Sequence, residues 1–131
     1  MLICFDTRIE GKTKFSEHFK AKEFACKDKT PIAFIDTHLI DLLEAIRNYY
    51  NSPVIINSAY RTYEWNKKVG GAEHSYHMKG MAADIYVKGV PCKNVALKAS
   101  ELLGKTGGVI CYTNFVHVDI RTTERYRKGV L

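Results

Sequence analysis

The chain has 131 residues, 46% of them hydrophobic and 26% charged, which are values of an ordinary folded protein of one-domain size and exclude disordered, collagenous and coiled-coil classes. No run approaches the ~18 consecutive apolar residues of a membrane span, and a chain of this size buries about two-thirds of its unfolded surface, so it needs no disulfide staple. The formal charge of +6 attracts polyanions, nucleic acid and anionic wall polymers among them, but Lys and Arg are spread along the chain without a dense arm or an aromatic RNA-binding signature, so no specific nucleic-acid partner is expected.

The N-terminus, Met1 to Arg8, is acidic by Asp6 and lacks a basic segment followed by an apolar one, so no secretory signal is read there. The expectation is synthesis in the cytoplasm. Cys4, Cys26, Cys92 and Cys111 contain no C-x-x-C pair, which argues for reduced, mostly buried thiols and against a cysteine metal site. Between Ile9 and Lys29, charge alternates with Phe15, Phe19 and Phe24; the segments 16–19 and 22–25 read as short turns that pin aromatics onto a core.

Asp36 suits an N-cap, and Leu39, Ile40, Leu42, Leu43, Ile46, Tyr49 and Tyr50 recur at helical spacing, predicting an amphipathic helix over 37–50 that Asn51-Ser52-Pro53 stops. Val54-Ile55-Ile56 reads as a buried strand, Thr62 to Val69 as a short helix, and Gly70-Gly71 opens a loop running to about Gly80. A strand over 82–87 follows. Pro91 suits the first turn of a second long helix and Gly104 its C-terminal cap. Strands are predicted at 109–112 and 115–120. The tail from Arg121 to Lys128 reads as a solvated basic end. This order predicts a single α+β domain over 1–131, with a small, mainly antiparallel sheet flanked by helices. The glycine pairs at 70–71 and 107–108 lack the spacing of a phosphate-binding loop.

Chemistry concentrates in two segments, Gly71 to Asp84 and Phe115 to Ile120. Strand alternation puts Val116, Val118 and Ile120 on one face, and Phe115, His117 and Asp119 on the other. Asp84 sits in the apolar run Ala-Ala-Asp-Ile-Tyr-Val, where an unpaired carboxylate is costly. One divalent ion held by His77, Asp84 and His117, with a fourth position left to water, would satisfy all three side chains and has the form of a catalytic zinc site. Spacing does not separate His74 from His77 as the first ligand, and single histidines are more often surface or core residues than ligands.

Ser75, His77, Gly80, Ala82 and Asp84 fit the pattern S-x-H-x-x-G-x-A-x-D, His117 and Asp119 a later H-x-D, and Ser58, Tyr60 and Arg61 an upstream S-x-Y-R. In these residues the chain resembles the zinc D-Ala-D-Ala carboxypeptidase and L-Ala-D-Glu endopeptidase superfamily, in particular its short single-domain murein peptidases of bacteria and phages. The segments 15–19 and 22–26 also resemble the opening of those members, so the likeness runs from about residue 15 to 121. It implies a hedgehog/DD-peptidase-like fold, one Zn2+ per chain on His77, Asp84 and His117, and a substrate-facing Arg61 that steadies the oxyanion. It implies Ser75 near the substrate and a peptidoglycan stem peptide as substrate, cleaved as a carboxypeptidase or an endopeptidase. A monomer is expected, acting on the cell wall after release, as a phage or prophage lysis or tail-associated enzyme does.

The likeness breaks at the general base. Several relatives carry an acid three positions before the last histidine ligand, where this chain has Asn114. Asp119 is the substitute, with its Cα roughly 6.5–7 Å from that of His117 on the same strand face. It could take the proton of the attacking water or orient His117 from behind; Glu73 is a weaker third choice. Without a working base, the chain would be a zinc-binding but catalytically degenerate wall- or protein-binding module.

Overall fold

The computed structural model describes residues 1–130. The helical periodicity centred on Leu43 forms helix α2 (Thr37–Tyr50), with Leu39, Ile40, Leu42, Leu43 and Ile46 buried and the Asp36 carboxylate accepting from His38 N–H at its start. Asn51 ends it in the left-handed conformation (φ 46°), as a helix stop before Ser-Pro requires. The second long helix, α4 (Cys92–Leu103), starts directly after Pro91 and ends at Gly104. Between them the chain forms strand β3 (Val54–Ser58), the short helix α3 (Tyr63–Lys68) and strand β4 (Ala82–Val87); strands β5 (Gly108–Cys111), β6 (Val116–Asp119) and β7 (Tyr126–Lys128) follow. The five strands form one sheet in the order β3-β4-β6-β5-β7, antiparallel except for the parallel β5–β7 edge.

Alternation along these strands divides the sheet chemically. Ala83, Ile85, Val109, Val116 and Val118 are fully buried and pack with Val95, Ala96 and Ala99 of α4 and with the apolar stripe of α2. The opposite face carries Asp84 and His117, direct partners in the β4–β6 ladder. Ser58 pairs with Asp84 and Ile110 with His117, so a single row crosses four strands. The expected α+β architecture holds, and so do the strand faces read from alternation.

Two regions differ from the sequence reading. Leu2–Asp6 and Ile32–Asp36 form strands β1 and β2, an antiparallel two-stranded sheet joined by a helical turn, α1 (Thr7–Glu10), and a 3-10 turn at Ala21–Phe24. These strands bury Phe5, Ala33 and Ile35 beside the expected aromatic anchors Phe19 and Phe24. The basic tail is not a solvated end. Tyr126–Lys128 is an edge strand, and Arg127 donates to the carbonyls of Gly104 (3.1 Å), Thr106 (3.0 Å) and Gly107 (2.7 Å) around the C-terminus of α4. A guanidinium there ties together the carbonyls of the turn that follows the helix and faces the negative end of its dipole. The thiols are all free, as expected, but only Cys26 is buried.

Gly80 joins the small sheet to the functional face. Its φ is +71°, its carbonyl accepts from Asp36 N–H at 2.8 Å, and a Cβ there would lie 2.7 Å from the Phe34 carbonyl oxygen. Gly89 has a similar φ of +76° but open space around it. Gly89→Ala is therefore expected to cost only the left-handed penalty of about 1–2 kcal/mol, and Gly80→Ala about 1–3 kcal/mol more through overpacking, as read from urea unfolding midpoints of the two variants.

Candidate metal centre

His77 is brought to the sheet by the long β3–β4 connection. That segment ends in a 3-10 turn (Tyr76–Lys79), which Ser75 caps by accepting from His77 N–H at 3.2 Å. The His77 ring is 3% exposed, and its Nδ1 lies 2.7 Å from the Ala59 carbonyl oxygen. A carbonyl only accepts, so Nδ1 carries the hydrogen and Nε2 keeps its lone pair in the neutral ring. That Nε2 lies 3.2 Å from Asp84 Oδ1. From the next strand, His117 brings Nδ1 to 3.0 Å from the same oxygen. Donor atoms of His77, Asp84 and His117 all lie within 4.8 Å of one another.

Asp84 is nearly buried, and its second oxygen accepts from Arg61 Nη2 at 3.2 Å. Burial works against its ionisation, but the hydrogen bond from His117, joined by one from His77 when that ring carries a proton on both nitrogens, outweighs it and holds the carboxyl well below the usual carboxylate range. His117 is pulled the other way. Burial favours its neutral form, yet hydrogen bonds to Asp119 and Asp84 raise its pKa above the ordinary histidine value. Two imidazoles with defined ring orientation and one ionised carboxylate suit a borderline-soft divalent ion such as zinc, and a cleft of about 460 Å³ opens over them. One cleft wall is formed by residues 69–72 and 74–77, the other by Ile110, Tyr112 and Phe115, with Arg61 and Arg121 also lining it.

Each residue singled out in the sequence has a definite place. Arg61 lines the cleft and is held from three sides: Nε donates to Ser58 Oγ (3.1 Å), Nη1 to Asn66 Oδ1 (3.1 Å) and Nη2 to Asp84. Ser75 lines the cleft but spends its hydroxyl on the turn. His74 stands exposed in the cleft wall, outside the three-donor cluster, which separates it from His77. Asn114 and Glu73 are exposed and do not line the cleft. Asp119 is 0% exposed; its Oδ2 lies 2.8 Å from His117 Nε2, on the side of the ring away from Asp84. Both its oxygens also accept from the Arg121 guanidinium, at 2.8 and 2.6 Å.

Sequence reasoning missed Asn66, Gly71, Gly108 and Arg121. Asn66 is buried and donates from Nδ2 to the Ala72 carbonyl (2.8 Å), tying Arg61 to the glycine loop. A Cβ at Gly71 would overlap Asn66 Oδ1, and one at Gly108 would overlap Asp119 Oδ2. The glycine pairs at 70–71 and 107–108 were the available signal. They mark where side chains of the site pass close to backbone, not where a phosphate sits.

Comparison with known proteins identifies the family. Residues 12–119 match the family Peptidase M15. The chain is 34% identical over 97 residues to the peptidoglycan L,D-endopeptidase MepK of Escherichia coli K12, covering 67% of this chain and 52% of that protein, and the Shigella flexneri MepK gives the same figures. A probable peptidoglycan L,D-endopeptidase MepK of Haemophilus influenzae is 37% identical over 87 residues, covering 61% of this chain and 45% of that protein. The chain thus spans about half the length of these relatives. With the match running from the aromatic anchors through His77 and Asp84 to the strand of His117, the chain belongs to the peptidase M15 family, within the zinc murein peptidase superfamily.

Proposed function

We propose that this chain is a zinc-dependent endopeptidase that hydrolyses peptide bonds in the stem peptides of bacterial peptidoglycan. The observation that carries the reading is the convergence of His77 Nε2, Asp84 Oδ1 and His117 Nδ1 on one point beneath an open cleft in a chain of this family. The names of the relatives, L,D-endopeptidases, favour an internal bond over removal of a terminal residue. His77, Asp84 and His117 would hold a zinc ion, which when bound would lower the pKa of a coordinated water to about 7 and polarise the scissile carbonyl.

The protein's own groups do the rest. Arg61 keeps a fixed positive charge at the cleft beside Asp84, where it can stabilise the tetrahedral oxyanion. Asp119, with both oxygens taken and its carboxylate behind the His117 ring, serves as an orienting group rather than the base. Asn114 takes no proton. Among the described residues, His74 is the one imidazole or carboxylate in the cleft wall outside the ligand set. We assign it the proton transfer: a free ring nitrogen accepts the water's proton as the C–O bond forms and returns it to the amine nitrogen as the C–N bond breaks. A binding module without turnover is the second reading, and Asn114 is the feature that favours it.

Digestion of whole peptidoglycan, followed by mass spectrometry of soluble products, tests the proposal. Peptide fragments are expected from the zinc-loaded protein, none after chelation, and none from His77→Ala or His117→Ala. Stoichiometric zinc without released peptide would establish the binding module instead. His74→Gln is expected to lower kcat by about 10²–10⁴-fold with zinc content unchanged, whereas Asp119→Asn is expected to weaken zinc affinity by about 10–100-fold; the reverse pattern would restore Asp119 as the base.

Metal binding is also expected to release a proton. In the metal-free protein, Asp84 and Asp119 favour the charged form of His117, which carries a proton on the donor atom Nδ1. Because the folded-state pKa is raised, this pairing stabilises the metal-free fold fully below the unfolded histidine value of about 6.5 and is lost as pH rises through the folded value. Zinc affinity should therefore climb with pH over the same interval. Calorimetric titration in two buffers of different protonation enthalpy checks this: close to one proton from His117 is released at the acid end in the wild-type chain, whereas at the alkaline end the proton released comes from the zinc-bound water.

A further inference from the structure

We infer that Arg121 is a positioning residue for the metal site, a clasp that joins the two elements carrying the histidine ligands; the inference rests on the zinc-site reading above. Arg121 follows β6 directly. Its backbone N–H and Nε donate to Asp119 Oδ1 at 3.1 and 2.8 Å, and its Nη2 donates to Oδ2 at 2.6 Å. That grip fixes the carboxylate whose Oδ2 lies 2.8 Å from His117 Nε2. A ring held at Nε2 has its Nδ1 aimed at the site, so the guanidinium sets the orientation of a ligand it does not touch.

The same guanidinium reaches the other ligand. It also lies over two aromatic rings, with Cζ 4.5 Å from the centre of Tyr76 and 5.0 Å from that of Tyr126. Tyr76 opens the 3-10 turn that contains His77, and its hydroxyl lies 3.2 Å from Thr123 Oγ1, on the segment after Arg121. The turn that presents His77 and the strand that presents His117 are thus fastened to each other through one side chain. Only arginine offers a flat fork that binds a carboxylate at two points while stacking on rings.

The backbone leaves room for this arrangement. At Gly108, paired with Asp119 in the β5–β6 ladder, a Cβ would overlap Asp119 Oδ2 and lie 2.7 Å from Arg121 Nη2. The pair therefore fills the place where any other residue would put its side chain.

The test compares the wild-type chain with Arg121→Gln, Arg121→Lys and, as a control on the same tail, Arg125→Gln, whose native side chain bonds to Gly104 and Ser100. Zn2+ affinity is measured by competition with a chromogenic chelator, and Co2+ loading is followed by its visible absorption bands, both well below the unfolding temperature of each variant. Arg121→Gln is expected to weaken Zn2+ binding by about 10–100-fold and to alter the Co2+ spectrum, with Arg121→Lys intermediate and Arg125→Gln like wild type. In an Asp119→Asn background, Arg121→Gln should add little, because it acts through that carboxylate. An unchanged Co2+ spectrum and affinity in Arg121→Gln, or full additivity with Asp119→Asn, would overturn the inference, and Arg121→Lys decides it if the Gln variant fails to fold. A wild-type chain that binds neither ion would sink the zinc-site reading itself, an outcome distinct from variants that bind as tightly as wild type.

Discussion

The structure turns on a buried carboxylate. Asp84 lies in the second strand of a five-stranded sheet whose other face is sealed by two helices, so it has no access to bulk water on that side. An ionised group in such a place needs positive or hydrogen-bonding partners, or it loses its charge. Three groups from three separate parts of the chain supply them: His77 from a loop, His117 from the neighbouring strand, and Arg61 from the segment after β3. The register that pairs Asp84 with His117 is consequently more than a ladder contact. A slip by one residue would turn every side chain of β6 over and aim Val116 or Val118 at the carboxylate.

Orientation is a separate constraint from position, and the chain meets it with a second set of contacts. The Ala59 carbonyl dictates which nitrogen of His77 is free, and Asp119 does the same for His117. The two histidines use different atoms, Nε2 and Nδ1, so their supports come from different directions. One is backbone beside β3, and the other is a carboxylate held from the tail. Small residues complete the set. Gly71 and Gly108 lie where Asn66, Arg61, Asp119 and Arg121 need the volume of a side chain, so these glycines are set by packing around the site.

Much of this was legible in the sequence because it follows from short-range periodicity. Helical spacing located α2 to the residue, and alternation in Val116–Asp119 put His117 and Asp119 on one face before any coordinates. The S-x-H-x-x-G-x-A-x-D and H-x-D patterns singled out the side chains that converge. What escaped was set by contacts between distant residues. Strands β1 and β2 are five residues each and pair across some thirty positions, and an isolated apolar run such as Ile32-Ala33-Phe34-Ile35 does not announce its partner. Arg121 and Arg127 sit in a stretch that reads as solvated charge, because nothing local shows the Asp119 carboxylate and the open end of α4 that they meet. His74 and His77 likewise differ in burial and direction, which the backbone of the turn decides and spacing alone does not.

That reassignment of the tail changes what the net charge means. Arg61 and Arg121 face Asp84 and Asp119, Arg8 pairs with Asp6, and Arg127 is spent on carbonyl oxygens of the α4 terminus. Four arginines of a basic chain are thus engaged in holding the protein together, and their charge is compensated locally or directed at helix ends. The surplus of +6 that remains to act at a distance rests largely on lysines. A diffuse lysine field of this kind attracts polyanions, and salt screens it beyond about 8–10 Å. Such a field does not choose a bond. Under the proposed function that choice belongs to the cleft, where Arg61 and Arg121 are fixed by several contacts each. Attraction to a polyanion and selection of a bond therefore fall, under that function, to different residue types: lysines spread along the chain, and arginines each held by several contacts.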